Sequence, residues 1–186
     1  VSAMSGVTDS LIGSVRDAAS GSKWGYLSCN NKLRDRHVEA INLLTTPGRE
    51  RDKVIQDIDA LLKQHIELCQ AVNVLGEATP RISDAVVSFG ERMSSRVVAA
   101  ALRQHGIKAS AYDAGQFIQT DDRFTSATPL WDVTNANIAE KLLPRVQQGE
   151  VPVITGFIGA TEHGHVTTLG RGGSDYSGAI FAAATD

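Results

Sequence analysis

The sequence predicts an α/β sandwich built on a mostly parallel sheet, and three observations carry that expectation. Helical and extended patterns alternate through the second half of the chain. "VPVITGFIG", Val151 to Gly159, is a continuous apolar run bounded by turn signals, as in a strand buried on both faces. With 186 residues and a 42% hydrophobic fraction, the chain can fill one good-sized core and belongs to neither the disordered nor the collagen-like classes.

The elements follow in order. "TDSLIGSVRDAAS" reads as a short helix with Thr8 or Asp9 as its N-cap, and Gly21 to Ser28 as a loop. Asn30 to Leu44 is helical, with Leu33, His37, Ala40, Ile41 and Leu44 on one face; "TTPGRERD" breaks it. Val54, Ile58, Leu61, His65, Leu68 and Val72 then recur at three- and four-residue spacing, the seam of a long amphipathic helix. His65 on that seam reads as a satisfied core histidine rather than a ligand. The helical stretch from about 30 to 79 is expected to be an excursion from the sheet rather than a separate domain. "RISDAVVSFGERMSSRVVAAALRQHG" gives one or two helices closing at Gly106. Ile107 to Asp113 alternates and reads as a strand. "NANIAEKLLPRVQQG" is a helix bent by its proline. "ATEHGHVTTLG" reads as a turn and a short strand, and "SDYSGAIFAAAT" as the last helix.

Composition excludes several classes. A net charge of -3 gives no reason to expect nucleic acid or an acidic membrane surface. No apolar run approaches the roughly 20 residues that span a bilayer, and no basic-then-apolar signal segment opens the chain. Cys29 and Cys69 form no CxxC pattern and read as reduced thiols of a cytoplasmic protein. The chain opens without methionine and closes on an apolar helix with no glycine cap, and both ends read as those of an internal segment of a longer protein.

The chemistry concentrates in "TTLGRGGSD", Thr167 to Asp175. It follows a strand and opens a helix, where backbone N–H groups bind anions and glycines let them approach closely. Arg171 adds a guanidinium fork suited to a carboxylate or phosphate. Asp175 sits where the helix dipole favours negative charge, which is also a plain capping role. "SAMSGVTD" repeats the grammar: Ser2, Ala3, Ser5 and Gly6 precede a helix start near Thr8. "SFGERMSS" sets Glu91 after a glycine at a helix start; alone it would read as a solvated surface carboxylate. "TGFIG" ends the buried strand in two glycines around Phe157, where such sheets bind ligands. His163 and His165 form HxH with no third ligand nearby, and read as exposed hairpin residues.

"SAMSGVTD", "SFGERMSS", "DRFTSATP", "GFIG" and above all "TTLGRGGSDYSGAI" stand in the order and spacing of aspartate kinases. The chain resembles the central part of the catalytic domain of that family, over nearly its whole length, and the helical insertion looks like that of the monofunctional, lysine-sensitive type. The resemblance implies a three-layer α/β/α amino-acid kinase fold and ATP- and Mg²⁺-dependent phosphorylation of the β-carboxylate of L-aspartate. That reaction opens lysine, threonine, methionine and, in bacteria, diaminopimelate biosynthesis. It also implies a homodimer or higher oligomer. Carried over by position, Arg171 clamps the substrate carboxylate, and Thr8, Glu91, Phe157 and Ser174 complete the aspartate pocket, with Glu91 at the α-amino group. Asp175 organises the family's catalytic lysine, while Ser2, Gly172 and Gly173 lie beside the transferred phosphate. No metal ligand is assigned. The family's KFGGTS-type lysine loop, the nucleotide-binding stretch after the last helix and the regulatory ACT domains have no counterpart in these 186 residues, and the chain by itself is expected to be inactive.

The implied reaction suits the residues. A carboxylate nucleophile is ionised at neutral pH, its ordinary pKa being about 3.9, so no general base is needed. The task is to bring an anion to a polyanion, which is positioning and charge neutralisation. Three alternatives stand beside this reading: another amino-acid kinase, against which GRGGSD and SFGE argue; the kinase half of a bifunctional aspartokinase–homoserine dehydrogenase; and a non-catalytic module that keeps the aspartate pocket.

Overall fold

The computed structural model describes residues 1–185. Five helices come first: α1 (Val7–Ala19), α2 (Lys23–Leu44), α3 (Arg49–Leu75), α4 (Pro80–Val87) and α5 (Phe89–Gln104). Then come β1 (Ala109–Tyr112), a 3-10 turn (Ala114–Gln116), α6 (Trp131–Asn137), a π-helical segment (Ile138–Leu142), α7 (Leu143–Gln147), β2 (Val151–Ile154), β3 (Ile158–Ala160), β4 (Val166–Thr168) and α8 (Gly173–Thr185).

β1 and β2 are parallel, in register from Ala109 opposite Val151 to Tyr112 opposite Ile154. The segment from the 3-10 turn to α7 is their crossover. The two faces of the pair are covered separately, as the period of two in a strand requires. Ala109, Ala111 and Val153 pack against Ala99, Val98 and Leu102 of α5. Tyr112 and Ile154 pack with Phe117, Ile138 and Leu142 on the opposite side. This is the α/β/α layering expected from the sequence. Val1 extends the sheet past β2: its amino group donates to the Ile154 carbonyl at 2.6 Å, and its own carbonyl accepts from the Gly156 N–H at 2.7 Å. β3 and β4 form an antiparallel hairpin, with Ile158 opposite Thr168.

The helices α2 and α3 share one core with the rest. Leu33, Ile41, Val54, Ile58, Leu61 and Leu62 interlock with Val7, Leu11 and Val15 of α1 and with Phe89, Met93 and Val97 of α5. His65 is fully buried, as its place on the seam predicts. Its Nδ1 meets Asn30 Oδ1 of α2 at 2.9 Å, and its Nε2 meets Ser14 Oγ of α1 at 2.9 Å. Burial lowers its pKa to about 4, so the ring is neutral.

Several boundaries differ from expectation. The 21–28 stretch is not a loop: α2 starts at Lys23, its first turn capped by Ser22 Oγ, which accepts from the Gly25 N–H. Gly25 is glycine because a Cβ there would collide with the side chain of Asp17. Neither Thr8 nor Asp9 caps α1; its N-cap is Gly6 at φ 74°. Leu44 is half-exposed at the end of α2 instead of lying on its buried face. "VPVITGFIG" is two strands in two sheets, because the backbone turns out of β2 at Gly156 and Phe157, the latter at φ 66°. The helix leading to Pro144 is not α-helical throughout: a π-helical turn spans Ile138–Leu142, and Pro144 stands in the first turn of α7.

Candidate active-site cleft

One cleft of about 610 Å³ gathers every residue to which the family resemblance gave a role: Ser2, Thr8, Glu91, Phe157, Arg171, Gly172, Gly173, Ser174 and Asp175. Five segments meet there: the 2–8 stretch with the start of α1, the α4–α5 junction, the loop at Thr125, the β2–β3 break, and the turn from β4 into α8.

Glycines set how closely these segments approach. A Cβ on Gly90 would stand 2.8 Å from that of Ala3, one on Gly156 would stand 2.9 Å from Ser174 Oγ, and one on Gly173 would stand 2.8 Å from Phe157 Cδ2. Each is closer than real Cβ atoms come. The left-handed Phe157 is held by the same elements: Ser177 Oγ accepts its N–H at 3.2 Å, and its carbonyl accepts from Leu169 at 2.8 Å. Such a conformation costs a bulky residue on the order of 1–3 kcal/mol, which the surrounding packing must supply.

Gly170 at φ 76° and Gly172 at φ 72° reverse the chain between β4 and α8 and leave Arg171 exposed at the mouth. Among the described residues Arg171 makes no ion pair. A free guanidinium beside the first-turn N–H groups of α8 is a place for an anion. Asp175 lies in that first turn.

Glu91 is the opposite case, with only 3% of its surface exposed. Oε1 accepts the N–H of Ala3 at 3.2 Å; Oε2 is buried with no partner. Burial pushes its pKa up to about 7, against the pull of the Ala3 N–H, its own N–H and the amino terminus. A buried carboxyl with one oxygen free calls for a cationic or donor group in the cleft. The surface reading that Glu91 would receive alone is thereby set aside. Thr8, relieved of capping, lies on the cleft wall two turns before Ser14.

Sequence reasoning missed Asp84, Ser83, Thr125 and Thr168, which also line the cleft. Asp84 was legible in one respect. α4 and α5 run on nearly continuously through Ser88, whose backbone is helical at φ -59° and ψ -22°. Asp84, Val87 and Glu91 therefore share a face at i, i+3 and i+7. His163 and His165 lie exposed on the β3–β4 hairpin, outside the cleft, as expected.

The α/β scaffold carries a glycine turn suited to an anion at the end of a strand, and comparison with known proteins assigns it to a family. The chain belongs to the amino acid kinase family, whose model matches residues 1–186. Among curated relatives it is similar to lysine-sensitive aspartokinase 3 of Escherichia coli K12, at 31% identity over 99% of this chain and 39% of the relative. It is also similar to aspartate kinase of Pseudomonas fluorescens, at 38% identity over 82% of this chain and 33% of the relative. Among solved structures, Escherichia coli aspartokinase III in complex with lysine and aspartate superposes with a TM-score of 0.87 at 32% identity. The same enzyme with aspartate and ADP gives 0.86. Both matches cover 99% of this chain and 39% of the neighbour. The chain thus spans about two fifths of the length of these relatives.

Proposed function

We propose that the chain forms the aspartate-binding part of an aspartate kinase, which transfers a phosphoryl group from ATP to the β-carboxylate of L-aspartate and yields 4-phospho-L-aspartate. The observation that carries this reading is the convergence of Thr8, Glu91, Phe157, Arg171 and Ser174 on one cleft. They combine a free cation at the mouth with a buried carboxyl inside, counter-charges for one carboxylate and the ammonium group of an amino-dicarboxylic acid. Arg171 binds a substrate carboxylate. Glu91 takes the α-ammonium group and ionises as it does so. Thr8 and Ser174 supply hydroxyls, and Phe157 closes the wall.

The turn fits a nucleotide's phosphates. Gly172 and Gly173 keep side chains away from the α8 N-terminus, and Ser2 lies across from it. When bound, ATP supplies the phosphoryl group and Mg²⁺ offsets its charge. The chain's own residues hold the acceptor carboxylate in line and keep two anions together. Asp175 acts on the catalytic lysine that such kinases use.

The finer reading is the monofunctional, lysine-sensitive type. The Escherichia coli relative of that name aligns along 99% of the chain, the α2–α3 hairpin included. We place the enzyme in the cytoplasm as a homodimer or larger, and at the entry to lysine, threonine and methionine synthesis. The two free cysteines suit a reducing compartment. Among the described residues no helix is long and apolar enough to cross a membrane.

The test uses the intact enzyme with ATP and Mg²⁺. Hydroxylamine traps any acyl phosphate formed from L-aspartate, L-glutamate or N-acetyl-L-glutamate. The expected result is signal with L-aspartate alone and a rise in its KM of about a hundredfold in Arg171→Ala, the loss of a charged clamp. Signal from another acid would discard the pocket assignment, and no signal from any would leave a non-catalytic module.

A further inference from the structure

Asp84 has no role in the assignment above, yet it is 1% exposed and its carboxylate is fully engaged at the floor of the cleft. Oδ2 accepts the N–H of Thr125 at 2.8 Å and the N–H of Thr168 at 3.0 Å. Oδ1 accepts the hydroxyl of Thr168 at 2.8 Å. Burial pushes its pKa up, and these three donors oppose the rise. An acid at the floor of an anion's cleft would repel the substrate if its charge were not absorbed by such donors.

The two residues it holds flank the arginine turn. Thr168 is the last residue of β4 and precedes Gly170 by two. Thr125 belongs to a separate loop and has φ 73°, a left-handed conformation that a β-branched residue adopts only under constraint. That loop runs beside the turn: a Cβ on Gly170 would lie 3.6 Å from the Thr125 carbonyl oxygen and 3.7 Å from Ser126 Cα. The Ala127 N–H donates to the Thr168 carbonyl at 2.8 Å, closing the same seam. One carboxylate on α4 therefore fixes both walls between which Gly170 turns and from which Arg171 projects.

We infer that Asp84 is a positioning residue that sets the Arg171 turn for the substrate carboxylate by clamping Thr125 and Thr168. This rests on the reading of the cleft as a carboxylate site, and it adds a residue that touches no substrate itself.

The experiment is a double-mutant cycle on the intact kinase, read as KM for the acid and KM for ATP. Asp84→Ala frees both N–H groups and the hydroxyl. The expected result is a rise in KM for the acid of about tenfold or more, with KM for ATP within about twofold. Asp84→Asn is the rescue. Its Oδ1 accepts both N–H bonds and its amide donates to the Thr168 hydroxyl, so KM returns to within about threefold of wild type. In an Arg171→Ala background, Asp84→Ala raises KM no further than about twofold, because both changes remove one interaction. Multiplicative effects, or an Asn variant as impaired as Ala, would overturn the inference. If Asp84→Ala does not fold, Thr168→Val removes one of the three donors; it must raise the same KM and show the same coupling, and an unchanged KM counts against the inference. The cycle is run on whichever acid the wild type phosphorylates. A wrong acid thus overturns the aspartate assignment while the coupling still judges Asp84, and a wild type that accepts no acid overturns both.

Discussion

Replacing Glu91 by glutamine should make the folded chain more stable at neutral and alkaline pH while destroying its use for an amino-acid ligand. In the folded state the carboxyl titrates near 7, against an ordinary value of 4.5, because burial disfavours its charge. The raised value fixes the sign. The folded state holds the proton more tightly than the unfolded chain, so stability from this group is complete below about pH 4.5. It drains as pH climbs and levels off above about 7. The gap between those values, at about 1.36 kcal/mol per pH unit, is worth roughly 3 kcal/mol. Glutamine has nothing to ionise and keeps an oxygen for the Ala3 N–H. For a chain of this size that difference corresponds to a melting temperature roughly 6–12 °C higher than wild type at pH 8, shrinking to little at pH 4.5. Thermal and urea unfolding of both proteins across about pH 4.5 to 8 measures it. Parallel stability curves would refute the argument, since they would mean that Glu91 pays nothing for its burial.

Two other outcomes follow from the geometry. Gly173→Ala drives a methyl to 2.8 Å from Phe157 Cδ2 and 3.1 Å from Leu169 Cβ. Phe157 is fixed by its own left-handed backbone, so the variant should lose about 1–3 kcal/mol in urea unfolding and weaken acid binding together; a loss of binding with stability unchanged would contradict it. Burial pushes the Cys69 thiol up to about 11, beside His65, while Cys29 is only partly covered. A thiol-specific colorimetric reagent at pH 8 should therefore titrate at most Cys29 in the folded protein and both thiols in denaturant, and prompt reaction of Cys69 would show the core to be looser than its packing.

The cleft was more legible than the chain's path to it. Its residues sit in short glycine-bearing segments at the ends of predicted elements, so the segments that carried the family resemblance are the ones that line it. Asp84 escaped because an aspartate in a helix reads as solvated until its donors are known, and these lie 41 and 84 positions away. The division of "VPVITGFIG" was hidden for the same reason. Nothing local makes Phe157 left-handed; the hydrogen bonds that hold it come from Leu169 and Ser177, twelve and twenty positions on. Gly25 misled in the other direction, as a loop signal that is in fact a close contact between helices. The α2 and α3 faces were readable because a period of 3.6 residues is a local property.

The first helix serves two masters. Thr8 and Ile12 look into the cleft, while Leu11, Ser14, Val15 and Ala18 look away from it into the α2–α3 hairpin. Helix α1 is thus a stiff rod with the cleft at one side and a long helical arm at the other, joined by the Ser14–His65–Asn30 chain. The arm cannot be pruned from a smaller version of this scaffold without redesigning the rod, since its removal would leave four buried side chains of α1 facing water. The cleft wall and the arm's docking face are two sides of one helix.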